Sequence, residues 1–248
     1  MKRVPRSKHI SIYATTLALI LALTNPPASH ADTISLIVAT EHDTGYQRSL
    51  FKLWIDADGN GCNTRKEVLI AEAIVKPAIT GTCTLVGGKW TDVYDNVQYT
   101  DSAKLDIDHL VPLDEAWRSG AWRWTAQQRE DYANDITDSR ALIAVGASIN
   151  REKSDKDIAH WLPPLNVCTY VTNYIAIKIR YSLSFDSLEA ERAKYYINKC
   201  PIGAITVDVL PGYSNPDVKN QVSVSDKSSV TIKKPTSKTK RSPSKASK

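Results

Sequence analysis

In the stretch KLDIDHLVPL, Lys104 to Leu113, two carboxylates and an imidazole stand among the apolar residues Leu105, Ile107, Leu110 and Val111. The run reads as a short buried strand. Leaving Asp106, Asp108 or His109 unpaired there costs several kcal/mol, roughly 2–7 even for a neutral polar group. A bound cation would compensate. Asp108 is a hard anionic oxygen ligand, and Asn150, which follows a second apolar run, is a neutral one. That combination suits Mg²⁺ or Mn²⁺, leaves coordination positions open and disfavours thiolate-seeking metals. His109 is the matching proton acceptor, because an unperturbed imidazole, with a pKa of about 6.5, is mostly neutral at physiological pH. Of the other histidines, His9 and His30 fall in the leader segment, and His42 and His160 lack a carboxylate neighbour comparable to Asp108.

Further residues are placed for supporting roles. Asp106 shares a strand face with Asp108 by the two-residue period, and either orients a ligand or ends the strand in solvent. Asn134, in YAND, either braces a loop through backbone groups or ends a helix. Arg151 and Lys153 either contact phosphates or form an exposed charged turn. Regular alternation sends Asp108 and His109 to opposite faces, so one site can use both only if the strand twists or ends there. Pro112 makes an ending plausible. Trp117, Trp122 and Trp124 either stack on nucleobases or pack a helical insertion against its own core.

A second constellation, DADGNGCNTRKE, sets Asp56, Asp58, Asn60, Gly61 and Glu67 at loop positions 1, 3, 5, 6 and 12 of an EF-hand pattern, a donor set for Ca²⁺. Asn63 stands where a hydrophobic residue usually pins such a loop, so an ordinary Asp/Gly turn is the competing reading.

The elements that must position these groups are legible as periodicities. TRKEVLIAEAIV, 64–75, has helical spacing and is stopped by Pro77. Gly87-Gly88 and the aromatic residues around 83–100 suggest one irregular hairpin. Thr125 with Gln128 three residues on is a capping box that starts a helix. RALIAVGAS, 140–148, reads as a buried strand, and NREKSDKD, 150–157, as a polar turn running into a short helix. Two more helices are expected near 166–182 and 187–199.

Composition bounds the class. Lys2, Arg3, Arg6 and Lys8, an apolar run from Ile10 to Leu23 and small residues at Ser29 and Ala31 have the layout of a secretory signal peptide over 1–31, cleaved after Ala31, with an uncleaved anchor as the competing reading. No later run is long enough to span a bilayer, so no transmembrane segment is expected in the mature chain. The formal net charge is +5, but the positive charge lies in the leader and in 216–248, and the intervening 32–215 is acidic. That balance argues against tight sequence-specific nucleic-acid binding by the folded part. The basic tail is read as disordered, and it either holds polyanions such as DNA or an anionic cell wall or is simply solvated. Cys62, Cys83, Cys168 and Cys200 are even in number and lack the C-x-x-C arrangement of zinc or redox sites. Four cysteines allow three connectivities. Cys62–Cys83 and Cys168–Cys200 are favoured because each closes a local loop, the second clamping the last two helices as a hairpin.

The segments DIDHLVPL and NREKSD together resemble the HNH nuclease motif, in the variant whose last His is Asn. The longer set DHLVPLDEAWRSGAW, YANDI, ASINREKSDKD and WLPP is similar to secreted HNH endonuclease family proteins related to the C-terminal nuclease domain of GmrSD-type restriction enzymes. The resemblance covers most of 50–200. It implies an α+β fold: a ββα-metal core, with a helical insertion between His109 and Asn150 and a disulfide-clamped C-terminal helical hairpin. It assigns His109 as general base, with Asp108 and Asn150 holding one divalent ion, and it suggests that Arg65 and Glu67 pair. Phosphodiester hydrolysis needs such a set: a deprotonated water, neutralisation of phosphate charge and help for the leaving oxygen. The expected substrate is nucleic acid, DNA first, then RNA. The rival reading is a non-catalytic extracellular protein that binds calcium at 56–67 and polyanions through its tail.

Overall fold

Both apolar runs become strands, and they pair with each other. The computed structural model describes residues 34–200 and 205–216, with the backbone alone of 221–224 and 230–233. In chain order, β1 (Ile34–Ile37) precedes α1 (Thr64–Glu72), followed by β2 (Ala78–Thr80), β3 (Thr84–Val86), β4 (Trp90–Thr91) and β5 (Gln98–Tyr99). The central part is β6 (Leu105–His109), α2 (Leu113–Arg118), α3 (Ala126–Ala133), β7 (Leu142–Gly146) and α4 (Ala147–Lys153). Then come α5 (Val167–Arg180), α6 (Ser187–Lys199), β8 (Ile205–Asp208), β9 (Gln221–Val224) and β10 (Val230–Lys233). The fold is mixed α+β with small sheets.

β6 and β7 pair antiparallel, with Asp108 opposite Ile143 and His109 opposite Leu142. All five residues of β7 and four of β6 are buried. α4 leaves β7 without a loop, using Gly146 as its N-cap, and packs on both strands. A side chain at Gly146 would run into the Tyr99 hydroxyl, so only glycine lets this junction pass so close. α4 begins at Ala147, which places Asn150 in the middle of a helix rather than at its start as the polar run suggested.

The insertion between β6 and β7 is helical, and its α3 carries the capping box: Thr125 Oγ1 accepts from Gln128 N at 3.2 Å and Thr125 N donates to Gln128 Oε1 at 2.9 Å. Trp117 and Trp124 are buried in the core, and Trp122 stacks on His42 at 4.3 Å. These contacts are internal packing. The expected single hairpin over 83–100 is instead two: β2 with β3, and β4 with β5. The first is tied to the start of α1 by a Cys62–Cys83 disulfide, and a Cys168–Cys200 disulfide clamps α5 to α6.

Below the helices lies a buried charge cluster. Lys178, fully buried, donates to Glu115 Oε1 at 2.6 Å, to Glu189 and to Ser184 O at 2.9 Å, so α2, α5 and α6 meet on one ammonium. The expectation of a structureless tail is corrected over two short stretches: β9 pairs antiparallel with β1, and β10 pairs parallel with β8. Their sequences, QVSV and VTIK, alternate β-branched and polar residues, a strand pattern that the basic composition around them concealed. The signal segment and the rest of the tail lie outside the described residues. Among the described residues no helix is long and apolar enough to cross a membrane.

Candidate metal and catalytic site

β6, α4 and the irregular segment after residue 45 enclose a pocket of about 340 Å³. Asp108, His109 and Asn150 all line it, together with Tyr46, Arg48, Arg151 and Asp155. β6 ends at His109, and Leu110 N bonds to Ala141 O at 3.1 Å. Two neighbours that regular alternation would separate thus reach one cavity at a strand end.

His109 is buried, and its Nε2 lies 3.0 Å from the carbonyl oxygen of Ala133. A carbonyl has no proton to give, so Nε2 carries the hydrogen and Nδ1 keeps its lone pair. The ring stacks with Trp54 at 5.6 Å and Tyr132 at 6.2 Å. Trp54 takes the left-handed backbone, φ 56°, in doing so, a conformation uncommon for a bulky residue and one that surrounding contacts must hold. Burial pushes the His109 pKa down to about 3; the bond to Ala133 opposes this, and the positive charges of Arg48 and Lys153 add to it. The imidazole is therefore neutral over a much wider range than the unperturbed value implied.

Both Asp108 oxygens have partners. Oδ2 accepts from the Tyr94 hydroxyl at 2.6 Å and Oδ1 from Lys153 Nζ at 2.7 Å. Lys153 Nζ also donates to His109 O at 2.9 Å and is 0% exposed. Its expected role as a phosphate contact is thereby corrected: a buried ammonium committed to Asp108 cannot meet a substrate. Burial pulls the Lys153 pKa below its usual range, and Asp108 opposes that pull. Asn150 Nδ2 points to Asp106 Oδ2 over a long 3.4 Å, which turns the amide oxygen away from Asp106.

Asn134 is the C-cap of α3. Its Oδ1 accepts from Thr64 Oγ1 at 2.9 Å and Ile55 N at 3.2 Å, and its Nδ2 donates to Lys52 O at 2.7 Å. It ties the loop bearing Trp54 to the segment whose Ala133 carbonyl orients His109. Arg151 is exposed at the pocket, as is Arg48, and neither forms an ion pair among the described residues. Arg48 carries no sequence signal, because it lies outside any periodic run, and Tyr94 reads only as one of the aromatic residues of the 83–100 hairpin. Arg65 and Glu67 do not pair. Two apart on a helix, they point away from each other, and Arg65 instead donates to Leu105 O at 2.7 Å, pinning α1 to the start of β6. His160 does have a carboxylate partner, Asp157 Oδ1 at 2.9 Å, three residues back in a turn.

The 56–67 loop closes on its own backbone. Asp56 accepts from Asn60 N at 3.1 Å and Gly61 N at 2.9 Å, Asp58 Oδ2 accepts from Asn60 Nδ2 at 2.9 Å, and Asn60 Oδ1 accepts from Cys62 N at 2.7 Å. Burial and the nearby Asp58 and Asp56 raise the Glu67 pKa. Among the described residues, the acidic group gathered closely enough to share an ion is Glu41, Glu115 and Asp157, and Arg118 already bridges its first two members.

The donors at the β6–α4 pocket fit a hard divalent ion. Asp108 and Asn150 line one open cavity, and a carboxylate has about four lone-pair positions, of which Tyr94 and Lys153 take two.

Residues 64–194, from α1 into α6, match the family described as GmrSD restriction endonucleases, C-terminal domain. An uncharacterized secreted protein of Arthroderma benhamiae is 36% identical over 199 residues, covering 79% of this chain and 90% of that protein. No solved structure matches. A match across more than half of the chain, spanning both strands and every residue of the pocket from Asp108 onward, shows that the chain belongs to the family of GmrSD restriction endonuclease C-terminal domains.

Proposed function

We propose that the mature protein is a secreted, metal-dependent endonuclease of HNH type that hydrolyses phosphodiester bonds in DNA. The observation that carries this reading is the meeting of the neighbours Asp108 and His109 with Asn150, far along the sequence, on one open pocket. In this reading β6, β7 and α4 are the ββα-metal core. His109, neutral and with Nε2 committed to Ala133, takes a proton from the attacking water at Nδ1. Asp108 and Asn150 would hold one Mg²⁺ or Mn²⁺, which supplies neutralisation of charge on the scissile phosphate and on the departing oxygen. Arg48 and Arg151 hold the flanking phosphates, and Asp106 orients the Asn150 amide. Secretion is supported by the leader pattern and by the secreted relative. The basic tail adds weak, salt-sensitive attraction to polyanions, DNA or an anionic cell wall.

Plasmid digestion with Mg²⁺, Mn²⁺ or EDTA, run beside His109→Ala, tests the reading. Nicking that needs a divalent ion and is lost in the variant supports it. Wild type and variant leaving plasmid equally intact with every metal would overturn it. A chain that cleaves nothing yet melts higher in Ca²⁺, with the gain lost in Asp58→Asn, would favour the calcium- and polyanion-binding alternative.

A further inference from the structure

Lys153 is among the largest fully buried side chains of the protein. An ammonium in such a place is tolerated only when its hydrogen bonds are filled by strong acceptors. Here they are filled by the two residues on which the proposed chemistry depends: Asp108, through its side chain, and His109, through its main-chain carbonyl. Lys153 stands one helical turn beyond Asn150 on α4. One helix thus presents a neutral oxygen ligand to the pocket and a fixed positive charge behind it. On the other side, Tyr94 is set by Asp92, whose Oδ1 accepts Tyr94 N at 2.7 Å and whose Oδ2 accepts Gly146 N. The Tyr94 hydroxyl then holds the second Asp108 oxygen.

Adjacent residues of a regular strand face opposite ways. Asp108 and His109 nevertheless share a cavity, and the Lys153 bridge spans that pair at the place where β6 stops. Resting on the nuclease reading above, we infer that Lys153 is a positioning residue. Its ammonium locks the Asp108 carboxylate in one orientation and partly cancels its charge, so that a single divalent ion is held by the remaining lone pairs without being held tightly.

The discriminating variant is Lys153→Met, similar in length and uncharged. Freed of its partner, Asp108 attracts cations more strongly but is no longer oriented. The expected result is Mn²⁺ binding at least fivefold tighter by isothermal titration, with turnover at saturating Mn²⁺ down at least a hundredfold. Lys153→Arg, which restores the charge, returns Mn²⁺ affinity to within twofold of wild type while turnover recovers only in part. A merely structural lysine would lower Tm and leave Mn²⁺ affinity and turnover per folded molecule unchanged, and that result overturns the inference. Should Lys153→Met not fold, Lys153→Arg and Tyr94→Phe decide. Turnover at least tenfold down in both, with Mn²⁺ affinity within twofold of wild type, supports a role in orienting Asp108; undiminished turnover in both overturns it. Wild type that neither binds Mn²⁺ nor cleaves DNA refutes the nuclease reading itself. Wild type that does both, beside an indifferent Lys153→Met, refutes only the role of Lys153.

Discussion

The Nε2 of His109 stands 3.0 Å from the carbonyl oxygen of Ala133, and this contact decides which ring nitrogen can receive a proton. His109→Ala is expected to lower DNA cleavage by about 10²–10⁴-fold, the usual worth of a general base. Because the folded pKa of about 3 lies below the unfolded 6.5, the unfolded chain binds the extra proton between them. This group therefore costs stability as pH falls below about 6.5. Nitrogen chemical shifts of the ring should report the neutral Nε2–H form down to pH 5.

Arg48→Ala and Arg151→Ala remove guanidinium groups exposed at the pocket. Each should raise KM for DNA and make the salt dependence of binding shallower by about one unit of slope, while Tm stays within about a degree of wild type. A change in kcat alone would mean that neither touches phosphate.

Glu72 gives a stability signal of the opposite sign to His109. Its pKa is raised from 4.5 to about 7, first by burial, while the bond from Ala144 N opposes the rise. The folded state then binds more protons than the unfolded one, so stability is fully present below pH 4.5 and declines as pH rises towards 7. Glu72→Gln keeps an acceptor for Ala144 N without the charge. It should stabilise the protein by about 1–2 kcal/mol at pH 8 and by little at pH 4.5, measured by urea unfolding.

Lys178 sits on two buried carboxylates, so Lys178→Ala strips Glu189 of its cation and leaves Glu115 with Arg118 alone. A loss of about 3–5 kcal/mol is expected, seen as a lower urea midpoint with the slope unchanged.

Cys168–Cys200 closes a loop of sequence separation 32. Loop-closure entropy puts its removal at about 3–4 kcal/mol. Cys168→Ser/Cys200→Ser should melt well below wild type and match the behaviour of the wild type under reductant more closely than Cys62→Ser/Cys83→Ser does.

Much of the site could be read in the sequence where a polar residue broke an apolar rhythm. Asp108 and His109 stand out because strand residues around them are aliphatic, and Asn150 because it follows a second such run. The same apolar runs mark β6 and β7, while the cysteine pairing is favoured on a separate ground, the closure of local loops. Lys153 was misread because a lysine inside NREKSDKD looks solvated; only its helical register with Asn150 hints that it turns inward. Arg48, Trp54 and Tyr94 come from irregular segments whose approach to His109 and Asp108 is set by tertiary folding, which no local period encodes. The tail strands were hidden by lysines that outweigh the short β-branched runs between them.

β1 has β9 along one edge, and β9 arrives from far along the polypeptide. An extracellular protease that clipped the tail before Gln221 would strip away that neighbour and leave a row of backbone amides and carbonyls without mates. The trimmed species would keep the pocket at the end of β6 yet acquire a sticky seam, so shelf life in solution is where such processing would first be felt.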